Sequence, residues 1–170
     1  MSEQRKDITL QFDPWHLIKG AVKKKLTAAA KPAACRELKN WVRSICNHLW
    51  WACATCNGDS ELLKEKWTSI IHHVKNKHSW DGNKQFKKCA HGPLEPEESR
   101  KKKWLREGTP PYEALQKIVF MPSLLRDLQY LTDFSHTGSL EVYHALVNKY
   151  CPKIRHFSNA GMVRRTQLAD

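Results

Sequence analysis

Apolar residues recur along most of this chain at three- and four-residue steps, the period of a helix that buries one face. Leu38, Trp41, Val42, Ile45, Leu49 and Ala52 trace one such stripe through 35–54, and Leu63, Trp67, Ile70, Ile71 and Val74 trace a second that runs to about 77. Asn57-Gly58 between them is a turn signal, with Asp59 or Ser60 placed to cap the second helix. A turn that short predicts an antiparallel helical hairpin. Further on, Leu115, Ile118 and Val119 mark a helix over 112–120, and Leu124, Leu125, Leu128 and Leu131 mark another after Pro122. These leucines are expected to pack against the hairpin. A last helix opens at Thr137-Gly138-Ser139, carries Leu140, Tyr143, Val147 and Tyr150 on one face, and stops at Pro152.

Only the start of the chain breaks this period. Ile8, Leu10 and Phe12 alternate with Thr9 and Gln11, which predicts a short strand. Asp13 then serves as N-cap and Pro14 as first helical residue of a helix carrying Trp15, Leu17, Ile18, Val22 and Leu26. Lys19, Lys23, Lys24 and Lys25 fall mainly on its other side. The pattern therefore predicts a mainly α chain with one short N-terminal strand. A single strand cannot stand alone, so its sheet partners are expected upstream. Residues 31–34 (KPAA) read as a connector. Residues 92–111 read as a hinge, with the run Arg100 to Lys103 as a solvated face or a contact to a strand backbone.

Composition narrows the class of partner. The 170 residues carry a net charge of +12 with a pI near 9.6, which points to a polyanion, nucleic acid before an anionic membrane surface. Solubility of lysine-rich helices is the alternative source of that charge. Most of the seven Trp should be core. No apolar run approaches the ~18 residues a membrane helix requires, and no signal peptide is evident, so no membrane is expected. Six Cys without a secretory signal suggest thiols or metal ligands in the cytoplasm or nucleus.

Two groups of residues have the composition of metal sites. Cys53-x-x-Cys56 lacks a second pair and a surrounding βαβ unit, and reads as helix-end packing. The cluster His72, His73, His78, Cys89 and His91 is richer. His73-x4-His78 with Cys89-x-His91 could give Zn2+ its four N and S ligands across a loop. The competing reading is a helix C-terminus where imidazoles complement the dipole, followed by a basic loop. Glu141 is an isolated carboxylate in the first turn of the last helix, followed by Lys153, Arg155, Arg164 and Arg165 with no acid before Asp170. With Gly138 as N-cap, Glu141 would sit where a carboxylate reaches back to the cap.

The stretches FDPWHLIKGAVKKKL, NHLWWACATCNGDSELLKEKWTSIIHHVKNKH and HTGSLEVYHALVNKYCPKIRHFSNAGMVRRTQLA resemble the C-terminal part of a transposon-derived, transposase-like protein family, multicopy in fish and other aquatic animals. The pattern T-G-x-x-E with a basic tail is also similar to the end of Mutator-like and hAT transposases, whose core is RNase H-like (DDE integrase-type). The resemblance implies a partial RNase H-like α/β core carrying a helical insertion. Residues 1–30 would be its last strand and helix, 31–131 the insertion with the zinc loop at 72–91, and 132–170 the returning helices. It implies that Glu141 is the third carboxylate of a two-metal Mg2+ site, flanked by Thr137, Gly138 and Arg164 or Arg165. Asp13 and His16 fall where related transposases keep a supporting pair; an N-cap with a first-turn histidine accounts for them equally. Lys19, Lys23, Lys153, Arg155, Arg164 and Arg165 would neutralise DNA backbone. Such a chain would be inactive alone, needing an upstream transposase segment or a related full-length copy. The other reading is a non-catalytic basic helical module that binds nucleic acid or a protein partner.

Overall fold

The structure is a computed structural model that describes residues 10–134 and 137–168. It is mainly α, and the described residues contain no strand. Of the expected N-terminal strand, Ile8 and Thr9 lie outside the described residues. Leu10 to Phe12 form no ladder; Phe12 donates a hydrogen bond of 2.6 Å to the Tyr130 carbonyl. Chain contacts divide the molecule into two compact units, Met1–Ser135 and His136–Asp170.

In the first unit Asp13 caps α1 (Pro14–Leu17), its carboxylate accepting from the amides of Trp15 and His16. The chain continues through a π-helical stretch, Ile18–Lys23, into α2 (Lys24–Ala29). Ile18, Val22 and Leu26 point into the same core as the hairpin residues. Residues 14–30 thus pack with the helical region, not as a separate body ending at residue 30.

After the connector, Ala33–Trp41 forms a 3-10 helix before α3 (Val42–Thr55). The sequence explains the change of pitch. Cys35, Leu38 and Trp41 are buried at strict three-residue steps, which a 3-10 helix aligns on one side, whereas Ile45, Leu49 and Ala52 return to the α period. Asn57 and Gly58 turn with positive φ (53° and 80°), and Asp59 caps α4 (Ser60–Thr68) through Glu61 and Leu62 amides.

The second hairpin helix does not run unbroken to 77. It breaks at Ser69 and resumes as α5 (Ile70–His73). His48 Nε2 and Ser69 Oγ both lie 2.6 Å from the Lys66 carbonyl, which a regular helix would offer to the Ile70 amide. Residues 92–111 are not a free hinge either. They contain α6 (Pro96–Lys101), and buried Leu105 donates its amide to Val74 O at 2.8 Å. The unit closes with α7 (Pro110–Val119), α8 (Pro122–Asp127) and a 3-10 turn, Leu128–Leu131, whose leucines complete the core. Trp67 sits at its centre, fully buried, with its indole N–H bonded to Val119 O at 3.0 Å.

The second unit comprises α9 (Gly138–Tyr150) and α10 (Asn159–Gln167). Pro152 stops α9 as expected, and Ser158 caps α10 through the Gly161 amide. The N-cap of α9 is Thr137, one residue earlier than expected, so Gly138 is the first helical residue and Leu140 holds the position a capping carboxylate would use.

Candidate metal centre

Three short devices bring distant residues together. First, α5 ends at His73, and Asn76 adopts a left-handed conformation (φ 61°) that turns the chain back on itself. Its side-chain oxygen lies 2.9 Å from His78 Nε2 and holds that ring. Second, residues 78–89 fold back as a loop with one antiparallel bridge, Ser79 to Lys88, turning at Gly82 where φ is 101°. The Cys89 amide donates to His78 O at 2.8 Å, so these two residues are cross-chain neighbours. Third, the Glu65 carboxylate accepts from three successive amides of the loop, Lys84, Gln85 and Phe86, at 2.8–2.9 Å. Buried Trp80 stacks on His72 (5.1 Å between centroids) and donates its indole N–H to Phe86 O.

The result is a single cluster of His73, His78, Cys89 and His91, whose ligand atoms all lie within 4.8 Å of one another. These are the four residues expected from the sequence. Hydrogen bonds fix which nitrogen each ring can offer. His78 Nε2 faces Asn76 Oδ1, which leaves its buried Nδ1 with no hydrogen-bond partner among the described residues. His91 Nδ1 lies 2.7 Å from Gly92 O, an atom that only accepts, so this nitrogen carries the proton and Nε2 carries the lone pair. His73 Nδ1 stands 3.4 Å from His91 Nε2 and 3.5 Å from Cys89 Sγ. For zinc bonded at ~2.05 Å to N and ~2.3 Å to S, tetrahedral edges are about 3.3 Å for N–N and about 3.6 Å for N–S. Those two contacts already have the edge lengths of a tetrahedron around a zinc-sized ion.

The electrostatics suit neutral imidazoles. Burial, helped by Lys102, His78 and His91, pushes His73 down to about 3. Burial also lowers His78, with His91 and Lys102 adding to it. Both rings are therefore unprotonated near neutral pH and free to bind a cation. Burial raises the Cys89 thiol, so it is the ligand that a metal must deprotonate. Trp104 closes one side, its ring 5.9 Å from His73 and 5.8 Å from His78. A 260 Å³ cavity lined by Trp51, Phe86, His48 and three of the four ligands borders another.

The Cys53 pair behaves as packing. Both thiols are buried, Cys56 Sγ bonds to Cys53 O and Thr132 O, and burial together with Cys56 pushes Cys53 up to about 12. Glu141 is exposed in the first turn of α9, its amide bonded to Thr137 O, and it joins no group of three metal-competent side chains among the described residues. Asp13 is an N-cap and His16 an exposed neighbour that meets the Trp15 ring edge-on. Among the basic candidates Lys19 and Lys23 are exposed on the first unit, and Lys153, Arg155 and Arg164 on the second. Arg165 is engaged within its own unit, donating to Tyr150 O at 3.0 Å and lying over the Phe157 ring.

The sequence pointed to the four clustered residues but not to their supports, Asn76, Glu65 and Trp104. Asn76 alone left a trace, as an asparagine just past a helix end, a residue that tolerates the left-handed conformation. Among the described residues, no helix is long and apolar enough to cross a membrane. Compared with family models, curated proteins and solved structures, the chain matches none.

Proposed function

We propose that this chain is a zinc-clamped, basic helical module that binds nucleic acid without catalysis of its own. The observation that carries the metal half is the convergence of His73, His78, Cys89 and His91 from a helix end and one loop, with ligand atoms within 4.8 Å of one another and the buried His78 Nδ1 left without a hydrogen-bond partner among the described residues. Four protein ligands fill a tetrahedral ion and leave no open position for substrate, which is the pattern of a structural zinc. The ion would hold a loop that has little regular structure of its own. The net charge of +12 supports a polyanionic partner, with exposed Lys and Arg positioning phosphate rather than reading sequence.

The test is metal analysis of the purified chain. One zinc per chain is expected, and Co2+ in its place should give the strong visible bands of a tetrahedral thiolate–imidazole site. Cys89→Ala and His78→Ala should each abolish both. A chain that takes up neither ion overturns the metal half. Retention of random duplex DNA at low salt, lost steeply as salt rises, is the expected sign of the charged half.

A second reading follows from the resemblance to transposases with an RNase H-like core. There Glu141 would be the third carboxylate of an Mg2+ site completed by aspartates from an upstream segment. Glu141 stands in the first turn of a helix and is exposed. Three carboxylates around two Mg2+ ions would support in-line phosphoryl transfer, which this chain could not perform alone.

A further inference from the structure

The first helix holds an apolar residue on the wrong side. Ile18, Val22 and Leu26 fill the core, while Trp15 is 41% exposed. Trp15, Lys19 and Lys23 succeed one another at four-residue steps along α1 and the π-helical stretch, so they share one outer face. Together with Ile18 and with Cys46, Asn47 and Trp50 of α3, they line a groove of about 510 Å³. Two indoles, two cations and an amide face this space, and among the described residues no carboxylate does. The Lys19 ammonium rests 4.1 Å from the centre of the Trp15 ring.

This combination has a specific chemistry. Ammonium groups spaced along a groove neutralise phosphates, and indoles at its edge stack on bases. A duplex offers phosphates but keeps its bases paired, so it would leave the indoles unused. An unpaired strand uses both. A lysine on an exposed indole is a weaker contact than a base stacked there, so an incoming base would displace Lys19 towards the strand's own phosphate. The π-helical stretch lies in the wall of this groove, and π-turns recur at functional sites.

We infer that the groove between Trp15 and Trp50 is a single-stranded nucleic-acid site, with Lys19 and Lys23 on the phosphates and the exposed Trp15 indole on a base, while Trp50, half-buried and edge-on to Phe134, forms the groove's apolar wall. The inference rests on the nucleic-acid reading above and names the form of nucleic acid.

The experiment is anisotropy titration of the full zinc-loaded chain with a labelled 20-base oligothymidylate and, separately, a 20-base-pair duplex. Trp15→Ala, which removes an exposed ring, should lower single-strand affinity about ten-fold and change duplex affinity less than two-fold. Lys19→Gln with Lys23→Gln should reduce the slope of log K against log salt for the single strand by about 1.4. Circular dichroism and zinc content of each variant verify that the fold is intact. Single-strand binding that Trp15→Ala leaves unchanged overturns the groove but leaves the basic module standing. Absence of binding to either oligonucleotide at low salt overturns both. Polyglutamate that competes as well as the oligonucleotide, or self-association abolished by Trp15→Ala, identifies another occupant and overturns the assignment.

Discussion

The two units of this chain use the same helical periodicity with opposite outcomes. In the first, the stripes meet, and Leu26, Leu38, Ile45, Leu49, Leu63 and Trp67 lose all contact with solvent. In the second, Leu140 is 55% and Tyr143 38% exposed, Val147 and Tyr150 are only partly buried, and α10 buries no residue. Period dictates which residues share a face; it does not supply what covers that face. A helix of thirteen residues and one of nine have too little surface between them to bury a core. The first unit has many helices to share, and its least regular part, the loop after α5, is where the four residues that could hold a metal meet. Stability there is expected to depend on the ion rather than on apolar burial.

Removing the metal should therefore produce the largest effect. A site held at a thousand-fold excess over its dissociation constant contributes about 4 kcal/mol. Chelation should lower the melting temperature of the first unit by on the order of 10 °C, read by calorimetry. Hydrogen exchange at 76–92 should quicken, while α9 and α10, which bury little, should exchange quickly with or without zinc. Slow exchange in α9 would break the contrast between the units. Next in size is a matched pair of truncations. Leu49→Ala, at a fully buried site, should cost about 3 kcal/mol, and Leu140→Ala less than about 0.5 kcal/mol, by urea denaturation. Equal costs would mean that the second unit buries its stripe in solution.

The contrast also explains what the sequence could convey. Helix faces, Asp13 as a cap, Asp59 as one of two candidate caps, and the stop at Pro152 were legible because each rests on local chemistry within a few residues. The four clustered residues were legible as residue types, although Cys89 and His91 needed a folded loop to reach His73. That loop depends on Glu65, whose bonds to the amides of Lys84, Gln85 and Phe86 span nineteen to twenty-one positions. No period or motif encodes such a contact. The break at Ser69 was hidden for the same reason, since His48, eighteen residues away, takes the Lys66 carbonyl. The RNase H-like core rested on resemblance and on a strand whose first residues lie outside those described.

Glu65→Gln isolates the loop support from the ligands themselves. Hydrogen bonds from the loop amides hold the Glu65 carboxylate below its ordinary range, so the charged form is the one that clamps. The neutral amide keeps one acceptor oxygen and loses the charge-assisted contacts. Zinc affinity should fall roughly ten-fold with the ligands untouched, by competition with a chromophoric chelator. Unchanged affinity would show that the four ligands arrange the loop without help.

Acid should act on the same loop. His73 has a folded value of about 3, far below the ~6.5 of a free imidazole, and His78 is lowered too. Between those values the unfolded chain binds more protons than the folded one, so stability rises with pH there. The contribution is complete above about pH 6.5 and is lost as pH falls towards 3. The zinc-free protein should become easier to unfold by urea across that window. A His73→Gln variant should lose much of the dependence. The smallest effect belongs to the other unit. Glu141 is exposed, and its place in the first turn of α9 is worth about half a kcal/mol through the helix dipole. Glu141→Gln should leave zinc content and oligonucleotide affinity unchanged and shift stability by no more than that. If the variant instead loses an Mg2+-dependent gain in DNA affinity that the parent chain displays, Glu141 binds metal, and the second unit rather than the first carries the chemistry.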